Sequence, residues 1–290
     1  MKSFPSKILL FGEHIVNKGA HALAIPYDAF YGELSFDKQH SLYLEPSTLI
    51  LQKMLAHIEK SSLLQGIFNL EQLSLDMQMG LCFHLNIPVG YGLGSSGAIV
   101  ASIFNRYAVR KDFDYPELKN ILGETEGVFH GKSSGLDPLV SYLNLAILVS
   151  DSTRVVEQEM HWKNDFEIFL FDTNQARKTE PLVEAFLKKA NGNESFSKVL
   201  QEEIVPINNS IIESFLNNSH SDTMQKIGQL SRLQFEYLQE LILPQHLDYF
   251  LLGLASKEYY LKICGAGGGG FMLGFTKSKD VKLPFEVIWL

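Results

Sequence analysis

The residues from Pro88 to Ala98 form the stretch with the clearest potential for chemistry. They read PVGYGLGSSGA and lead from an apolar segment into an alanine-rich one. Successive glycines let backbone N–H groups converge on an anion, and the positive end of a following helix adds a favourable partial charge. We therefore interpret this stretch as a phosphate-binding loop, although by itself it also fits a glycine turn that leads into a buried helix.

The loop differs from the two commonest phosphate-binding motifs. It lacks the Gly-Lys-Ser/Thr ending of the P-loop, and its glycine spacing does not fit the dinucleotide-binding fingerprint. Two hydroxyls, Ser95 and Ser96, stand where the helix is expected to begin. They can cap free amides, but one of them can instead ligate a hard cation such as Mg²⁺.

Two carboxylates further along the chain extend this set. Glu126 lies at the edge of an apolar helical stripe, and Asp137 lies in HGKSSGLDP, which we expect to be a tight connection before a strand. Taken singly, Glu126 fits a surface rim residue and Asp137 fits a turn or capping residue. With the serines they form a candidate constellation for metal binding and proton transfer.

The two ends of the chain supply further candidates. Lys7 stands at the front of an apolar strand, and Glu13 and His14 follow just after it. Near the other end, KICGAGGGG (262–270) places glycines between two apolar strands. Ordering such a loop costs roughly 0.5 to 1 kcal/mol per glycine relative to alanine, so we expect it to approach another loop or a ligand closely.

Composition excludes several classes of protein. The chain of 290 residues has a net charge of −8 and no basic block, so we expect no nucleic-acid partner. No apolar run approaches the roughly 20 residues that span a bilayer, and no cleavable leader is recognisable, so we expect a cytoplasmic protein without membrane contact. Cys82 and Cys264 lie in apolar runs, and we predict two buried free thiols.

The hydrophobic pattern predicts an α+β protein with two lobes, 1–155 and 156–290. Strands are predicted at 6–12, 23–36, 41–46, 73–88, 143–151, 166–173, 259–264, 271–276 and 285–290. Helices are predicted at 47–60, 95–110 and 115–130, with three or four more between 180 and 256, and residues 191–197 are predicted to be a surface loop.

Three segments in this order, SKILLFGEH, PVGYGLGSSGA and KICGAGGGG, closely resemble the three signature segments of the GHMP kinases. Within that superfamily, FGEHIVNKG and EGVFHGKSSGLD look most like mevalonate kinases. The resemblance implies a two-lobed GHMP kinase fold, with an N-terminal lobe like domain 2 of ribosomal protein S5 and a ferredoxin-like α+β C-terminal lobe. It also implies an enzyme that uses ATP and Mg²⁺ to phosphorylate the primary hydroxyl of mevalonate.

The same resemblance implies a role for each candidate residue. Asp137 would face the substrate hydroxyl, Lys7 would lie beside it and the transferring phosphate, and Ser96 and Glu126 would bind Mg²⁺. The loop at 262–270 would steady the phosphate loop. The residues implied for the ATP phosphates are Gly90, Gly92, Leu93, Gly94, Ser95, Ser96 and Gly97, and those implied for the substrate are Glu13, His14, Ser134 and Gly267.

The chain departs from the family pattern at several positions. Lys132, Ser133 and Ser134 stand where Asn/Thr-Pro-Ser is usual, Pro138 replaces a common asparagine, and Cys264 replaces a common threonine. None of these changes removes a charged group with an implied role. Only KSKDVKLP separates the last two predicted strands, which leaves no room for the helix usually found near the C-terminus of the family.

Alternative functions remain open at this point. The acceptor of another GHMP kinase could be phosphomevalonate, homoserine or a sugar. From a different class, the chain could be a non-catalytic GHMP-fold protein that binds a metabolite. A decarboxylase is disfavoured, because that group lacks the His-Gly approach to its aspartate. The resemblance leaves a homodimer open.

Overall fold

The computed structural model describes residues 1–36, 44–150, 154–158, 166–177, 179–217 and 222–290. The chain packs into two compact units that are each built from separate stretches. The first unit contains residues 1–8, 24–88 and 93–147, and the second contains residues 9–23, 89–92 and 148–290. The lobes 1–155 and 156–290 remain a prediction from the sequence.

The strands of the described ranges form two sheets. They are β1 (Ser3–Phe11), β2 (Ala22–Phe36), β3 (Leu81–Leu85), β4 (Ala146–Ser150), β5 (Arg154–Gln158), β6 (Glu167–Asp172), β7 (Tyr259–Ile263), β8 (Phe271–Thr276) and β9 (Val287–Trp289). One sheet has the order β1-β2-β4-β5, with β3 paired to β2. The other has the antiparallel order β7-β8-β6-β9.

The helices fall into two sets along the chain. The first set is α1 (Leu44–Lys60), α2 (Leu70–Gln78), α3 (Ser95–Tyr107), α4 (Tyr115–His130) and α5 (Leu136–Leu143). The second set is α6 (Thr179–Gly192), α7 (Glu194–Val199), α8 (Val205–Leu216), α9 (Thr223–Tyr237) and α10 (Leu247–Ser256), with a π-helical turn at Leu200–Ile204 between α7 and α8.

The core of the first unit fixes the helices that carry the candidate site. Helix α3 packs against α4 and α5, and its residues Ala98, Val100 and Ile103 are buried. Helix α4 begins where Asp114 accepts a hydrogen bond from the amide of Glu117, with a proline in the first turn. These contacts fix the start of α3 close to the start of α5.

The second unit has an aromatic core against its antiparallel sheet. Phe11 stacks on Phe275 with 5.7 Å between ring centroids and meets Phe215 edge-on at 5.3 Å. Leu170 on β6 lies opposite Leu273 on β8, and both are fully buried. β9 completes the sheet by pairing with β6, and it lies within the strand predicted at 285–290.

Two predicted strands are wrong in part: residues 81–85 of the strand predicted at 73–88 form β3, but its residues 73–78 belong to α2. Residues 70–78 form α2, because Asn69 caps the helix by accepting from the amide of Gln72, whose side chain bonds to Asp76 one turn on. In the predicted strand at 41–46, residues 44–46 belong to α1, and residues 41–43 lie outside the described ranges. In residues 73–78, local capping chemistry outweighed the β-type composition.

Other differences also concern short helices. Asp137 lies in α5 instead of a bare connection, because Gly135 adopts the left-handed conformation that starts the helix at Leu136. The loop predicted at 191–197 is mostly helical: residues 191–192 end α6 and residues 194–197 belong to α7, where Asn193 accepts from the amide of Phe196. The described part of 180–256 holds five α-helices where three or four were expected, and β5 was not predicted.

The α+β class is confirmed, as are the predicted helices at 47–60 and 115–130. Both cysteines are buried free thiols, as predicted. Among the described residues, no helix combines the length and the apolar character needed to cross a bilayer.

Candidate active site

An ion pair between Lys7 and Asp137 lies at the centre of the candidate site in the first unit. The Lys7 ammonium Nζ is 3.0 Å from Asp137 Oδ1. The lysine side chain is 5% exposed and the aspartate side chain 32%, so the carboxylate remains accessible while its partner is enclosed. β1 supplies the lysine, and the first turn of α5 supplies the aspartate.

Two glycines allow the phosphate loop to approach this ion pair. Gly94 has φ +76°, and a Cβ there would lie 2.9 Å from Lys7 Cγ. A Cβ on Gly97 would lie 2.9 Å from the carbonyl carbon of Asp137 and from the nitrogen of Pro138. The amide of Lys7 also donates to the carbonyl of Leu93 at 2.9 Å. The residues from Leu93 to Gly97 of the loop therefore pack closely against Lys7 and Asp137.

The amino end of α3 is suited to an anion. Gly94, the residue that precedes the helix, has no side chain to cap the first amides, which belong to Ser95, Ser96 and Gly97. The first N–H groups of a helix lack intrahelical acceptors and carry the positive end of its dipole. A phosphate group placed here would meet several donors without any lysine in the loop itself.

Glu126 is enclosed beside this helix end and is only 3% exposed. Ser96 Oγ donates to its Oε1 at 2.7 Å, and Ser133 Oγ donates to its Oε2. Burial and, to a smaller extent, the nearby negative charge of Asp137 raise the pKa of Glu126 to about 7, although the two hydroxyls and Lys7 act in the opposite direction. The interpretation of Glu126 as a surface rim residue does not hold.

These residues fit Mg²⁺. Mg²⁺ prefers hard oxygen ligands and is usually held by one or two carboxylates together with substrate phosphates and water. Ser96 and Glu126 present such oxygens, and the raised pKa of Glu126 means that burial disfavours its ionised form, which a bound cation would stabilise. In the part of the chain that the structure describes, no cluster of three or more His, Cys, Asp or Glu side chains is placed to hold a metal without a substrate.

In the second unit, Glu13 forms an ion pair with Lys262 on β7. Lys262 Nζ lies 2.5 Å from Glu13 Oε1, and the two side chains are 1% and 4% exposed. The ammonium also donates to the carbonyl of Ile263 at 2.8 Å. The charge of Glu13 is therefore balanced within the protein, which the sequence did not indicate.

His14 adopts a left-handed backbone conformation with φ +65° next to this ion pair. Its ring stacks on Phe186 at 4.7 Å, and Nε2 lies 3.1 Å from the carbonyl of Ala266. Burial lowers the pKa of His14 to about 4, with a smaller contribution from the charge of Arg177. At neutral pH the ring is therefore neutral, and Nε2 is the protonated nitrogen because its partner is a carbonyl acceptor.

Arg177 is the main site residue that the sequence analysis missed. Its Nη1 donates to three carbonyls of the loop at 262–270, those of Cys264 (3.0 Å), Gly267 (2.8 Å) and Gly269 (3.0 Å). Its backbone amide donates to Gly90 at 3.1 Å. The arginine lies in NQARK, which belongs to no motif. The only signal in the sequence was the glycine-rich loop itself, whose many backbone carbonyls need a donor when they are buried.

Close packing brings two glycine-rich segments together around Arg177. A Cβ on Gly265 would lie 2.5 Å from the Arg177 Nη2 atom, and a Cβ on Gly92 would also collide with it. The amide of Phe271 donates to the carbonyl of Tyr91 at 3.3 Å. The segment 90–92 of the phosphate loop is thus held by the segment 264–271, both within the second unit.

The remaining candidates have local roles. Ser134 is exposed, and its Oγ accepts from the amide of Leu136 at 3.3 Å, where α5 begins. Gly267 has φ +79°, and its carbonyl is one of the acceptors of Arg177. The structure therefore brings Lys7, Ser96, Glu126 and Asp137 together in the first unit. Glu13, His14, Gly90, Gly92 and Gly267 lie in the second unit.

Comparison with known proteins supports the resemblance. Residues 51–144 match the model of the GHMP kinases N terminal domain. The mevalonate kinase of Archaeoglobus fulgidus is 25% identical to the chain over 98% of this chain and 95% of that protein.

Solved structures share the fold at low identity. The structure of L. major mevalonate kinase in complex with R-mevalonate matches with a TM-score of 0.67 at 18% identity, covering 99% of this chain and 94% of that one. Streptococcus pneumoniae phosphomevalonate kinase, in complex with phosphomevalonate and AMPPNP, matches with a TM-score of 0.64 at 14% identity, covering 100% and 99%. The fold therefore does not distinguish between these two acceptors.

Proposed function

We propose that the chain, which is similar to the GHMP kinases in residues 51–144 and to mevalonate kinases over nearly its whole length, phosphorylates the primary hydroxyl of mevalonate from ATP. The observation that carries the proposal is the Lys7–Asp137 pair, at 3.0 Å, beside the amino end of α3. The pair places a proton acceptor and a cation next to an anion-binding helix end.

Asp137 would receive or orient the proton of the attacking hydroxyl. Its side chain is accessible, whereas Lys7 is enclosed and held in place by β1. Phosphoryl transfer has a loose transition state, so catalysis consists mostly of positioning and charge stabilisation. The Lys7 ammonium would offset charge that develops on the oxygens of the transferred group.

Ser96 and Glu126 would hold Mg²⁺, which when bound neutralises phosphate charge. The amides of Ser95, Ser96 and Gly97 would bind phosphate oxygens directly. Arg177 would help to keep the segment 90–92 in place, since its backbone amide donates to Gly90 while Nη1 holds three carbonyls of the loop at 262–270.

Glu13, His14, Ser134 and Gly267 are proposed for the acceptor. Mevalonate carries a carboxylate, so an uncompensated acid in its site would repel it. The pairing of Glu13 with Lys262 removes that repulsion, and the neutral ring of His14 offers hydrogen bonding without a charge.

The test is an assay of ADP formation with mevalonate, phosphomevalonate, homoserine and galactose as acceptors. We expect turnover with mevalonate and a loss of kcat of about 10²- to 10⁴-fold in Asp137→Asn, with unchanged binding of a non-hydrolysable ATP analogue. Asp280→Asn, an exposed change near the end of the chain, is the matched control. Near-normal turnover of Asp137→Asn would refute its role.

A second candidate is a GHMP kinase with another acceptor, favoured by the equally complete match to phosphomevalonate kinase. The same assay separates the two. Binding of the ATP analogue without turnover of any of the four acceptors would favour a non-catalytic metabolite-binding protein.

A further inference from the structure

Ser133 links the proposed metal carboxylate to the start of the helix that carries Asp137. Its hydroxyl donates to Glu126 Oε2 and accepts from the amide of Gly135 at 3.0 Å. Gly135 directly precedes α5 and lies two positions before Asp137. One side chain therefore bonds both to Glu126 on α4 and to the residue that precedes α5.

The direction of these hydrogen bonds follows from the groups involved. A backbone N–H can only donate, so the hydroxyl must accept from Gly135, and its single proton is then directed at Glu126. Hydrogen bonds in such a chain polarise one another, and a bond to an ionised carboxylate is stronger than one between neutral groups.

The surrounding backbone leaves this arrangement little freedom. A Cβ on Gly123 of α4 would lie 3.1 Å from the Cα and the nitrogen of Gly135, so the two helices approach at van der Waals distance. Glu126 lies on α4 less than one turn after Gly123. The backbone positions of Glu126 and Gly135 are therefore fixed relative to one another, and Ser133 spans the gap.

We propose that Ser133 is a positioning residue for Glu126, which holds Oε2 so that Oε1, shared with Ser96, is presented to the divalent cation. This inference rests on the proposed function. Each carboxylate oxygen accepts one hydroxyl, and an oxygen with two lone pairs keeps one available for a cation. The family that the chain resembles usually has proline at the position of Ser133, and proline has no hydroxyl, so this hydrogen-bond arrangement is particular to this chain.

The experiment measures the affinity for Mn²⁺ in the presence of a non-hydrolysable ATP analogue, by electron paramagnetic resonance of the free ion. Loss of a partner that orients a metal ligand typically costs 10- to 100-fold in metal affinity. We expect Ser133→Ala to weaken Mn²⁺ binding about tenfold and Ser133→Thr, which keeps the hydroxyl, to remain within about twofold of the original protein.

Ser141→Ala is the matched control, because it removes a buried hydroxyl of α5 that donates to the carbonyl of Pro5 and does not contact Glu126. It should lower the temperature of unfolding without changing the Mn²⁺ affinity. Equal Mn²⁺ affinities for Ser133→Ala and the original protein would overturn the inference, and so would a change in unfolding temperature alone. Failure of the original protein to bind Mn²⁺ with the ATP analogue would instead overturn the proposed function.

Discussion

Glu126 is a carboxyl group whose protonation should respond to the metal. Its pKa of about 7 means that at pH 6.5 a large share of the metal-free protein carries the proton. Mg²⁺ binds the ionised form, so binding should release protons and the apparent affinity should rise as pH increases through 7. Calorimetry at pH 6.5 in buffers of different ionisation enthalpy measures this release.

Glu126→Gln should abolish the proton release and weaken Mg²⁺ binding. Glu124→Gln is the control, since Glu124 accepts from Ser61 on the other side of α4. A proton release that persists in Glu126→Gln would assign it to another group.

His14 should make the folded protein less stable at acid pH, whereas a carboxyl group with a raised pKa has the opposite effect. Its pKa is about 4 when folded and near 6.5 when unfolded, so the unfolded state binds the proton more tightly. The free energy of unfolding should therefore fall by roughly 3 kcal/mol as pH drops from 7 to 4. Urea unfolding across this range should show that His14→Gln loses this part of the pH dependence, while the exposed change His84→Gln keeps it.

Arg177 should matter for ATP binding through the loop it holds. Arg177→Gln removes the side-chain donor of three carbonyls in the loop at 262–270, which in turn contacts the segment 90–92, so we expect the Kd for an ATP analogue to rise about tenfold or more. Arg232→Gln, an exposed change on α9, is the control. Unchanged ATP affinity in Arg177→Gln would mean that the arginine side chain does not support the phosphate loop.

At the scale of elements, the close packing of α3 against the start of α5 predicts that adding one methyl group at Gly97 disturbs both stability and activity. Gly97→Ala would push its Cβ into the backbone of Asp137 and Pro138, which cannot move as a flexible side chain can. We expect lower thermal stability and a kcat reduced at least tenfold, because Asp137 is displaced.

Gly192→Ala, near the end of α6, meets no atom within 4 Å and serves as the matched control. It should leave stability equal or slightly higher, since alanine favours the helix. Both variants are tested by thermal unfolding and by turnover, and wild-type turnover in Gly97→Ala would contradict the close approach.

The elements that the sequence predicted well are those with long, regular patterns. β1, β2 and α4 each carry an extended apolar pattern, and α4 also has a capping aspartate and a proline in its first turn. The short helices α2, α5 and α7 were not predicted, because a helix of two or three turns shows too little periodicity and depends on one capping residue. The motifs likewise indicated Lys7, Ser96, Glu126 and Asp137, whose proposed roles remain predictions.

Arg177 and Lys262 could not have been identified in this way. Each acts through a partner distant in sequence, Lys262 with Glu13 and Arg177 with carbonyls of the loop at 262–270. No local pattern encodes such pairing, which exists only once the chain has folded.

At the scale of the molecule, the second unit includes a segment from near the N-terminus, which predicts that the C-terminal half cannot fold alone. Residues 9–23 belong to this unit, where the amide of His21 donates to Asn209 Oδ1 at 2.8 Å and Asn208 Nδ2 donates to the His21 carbonyl at 2.9 Å. A fragment of residues 156–290 would also leave Lys262 buried without Glu13, at a cost of about 3 to 5 kcal/mol.

We expect this fragment to show no cooperative urea transition and no near-ultraviolet circular dichroism of fixed aromatic packing. The full chain is the control. A sharp transition in the fragment would mean that residues 9–23 are dispensable for this unit.

The ion pair of Glu13 with Lys262 joins residues that are 249 positions apart. On the ribosome, Glu13 leaves the exit tunnel long before its partner has been synthesised. At the usual pace of translation, roughly 5 to 20 residues per second, the delay is on the order of ten seconds to a minute. Throughout that interval apolar residues of the segment 9–23, such as Phe11, must wait without partners such as Phe275, which makes the nascent chain a natural client for chaperones.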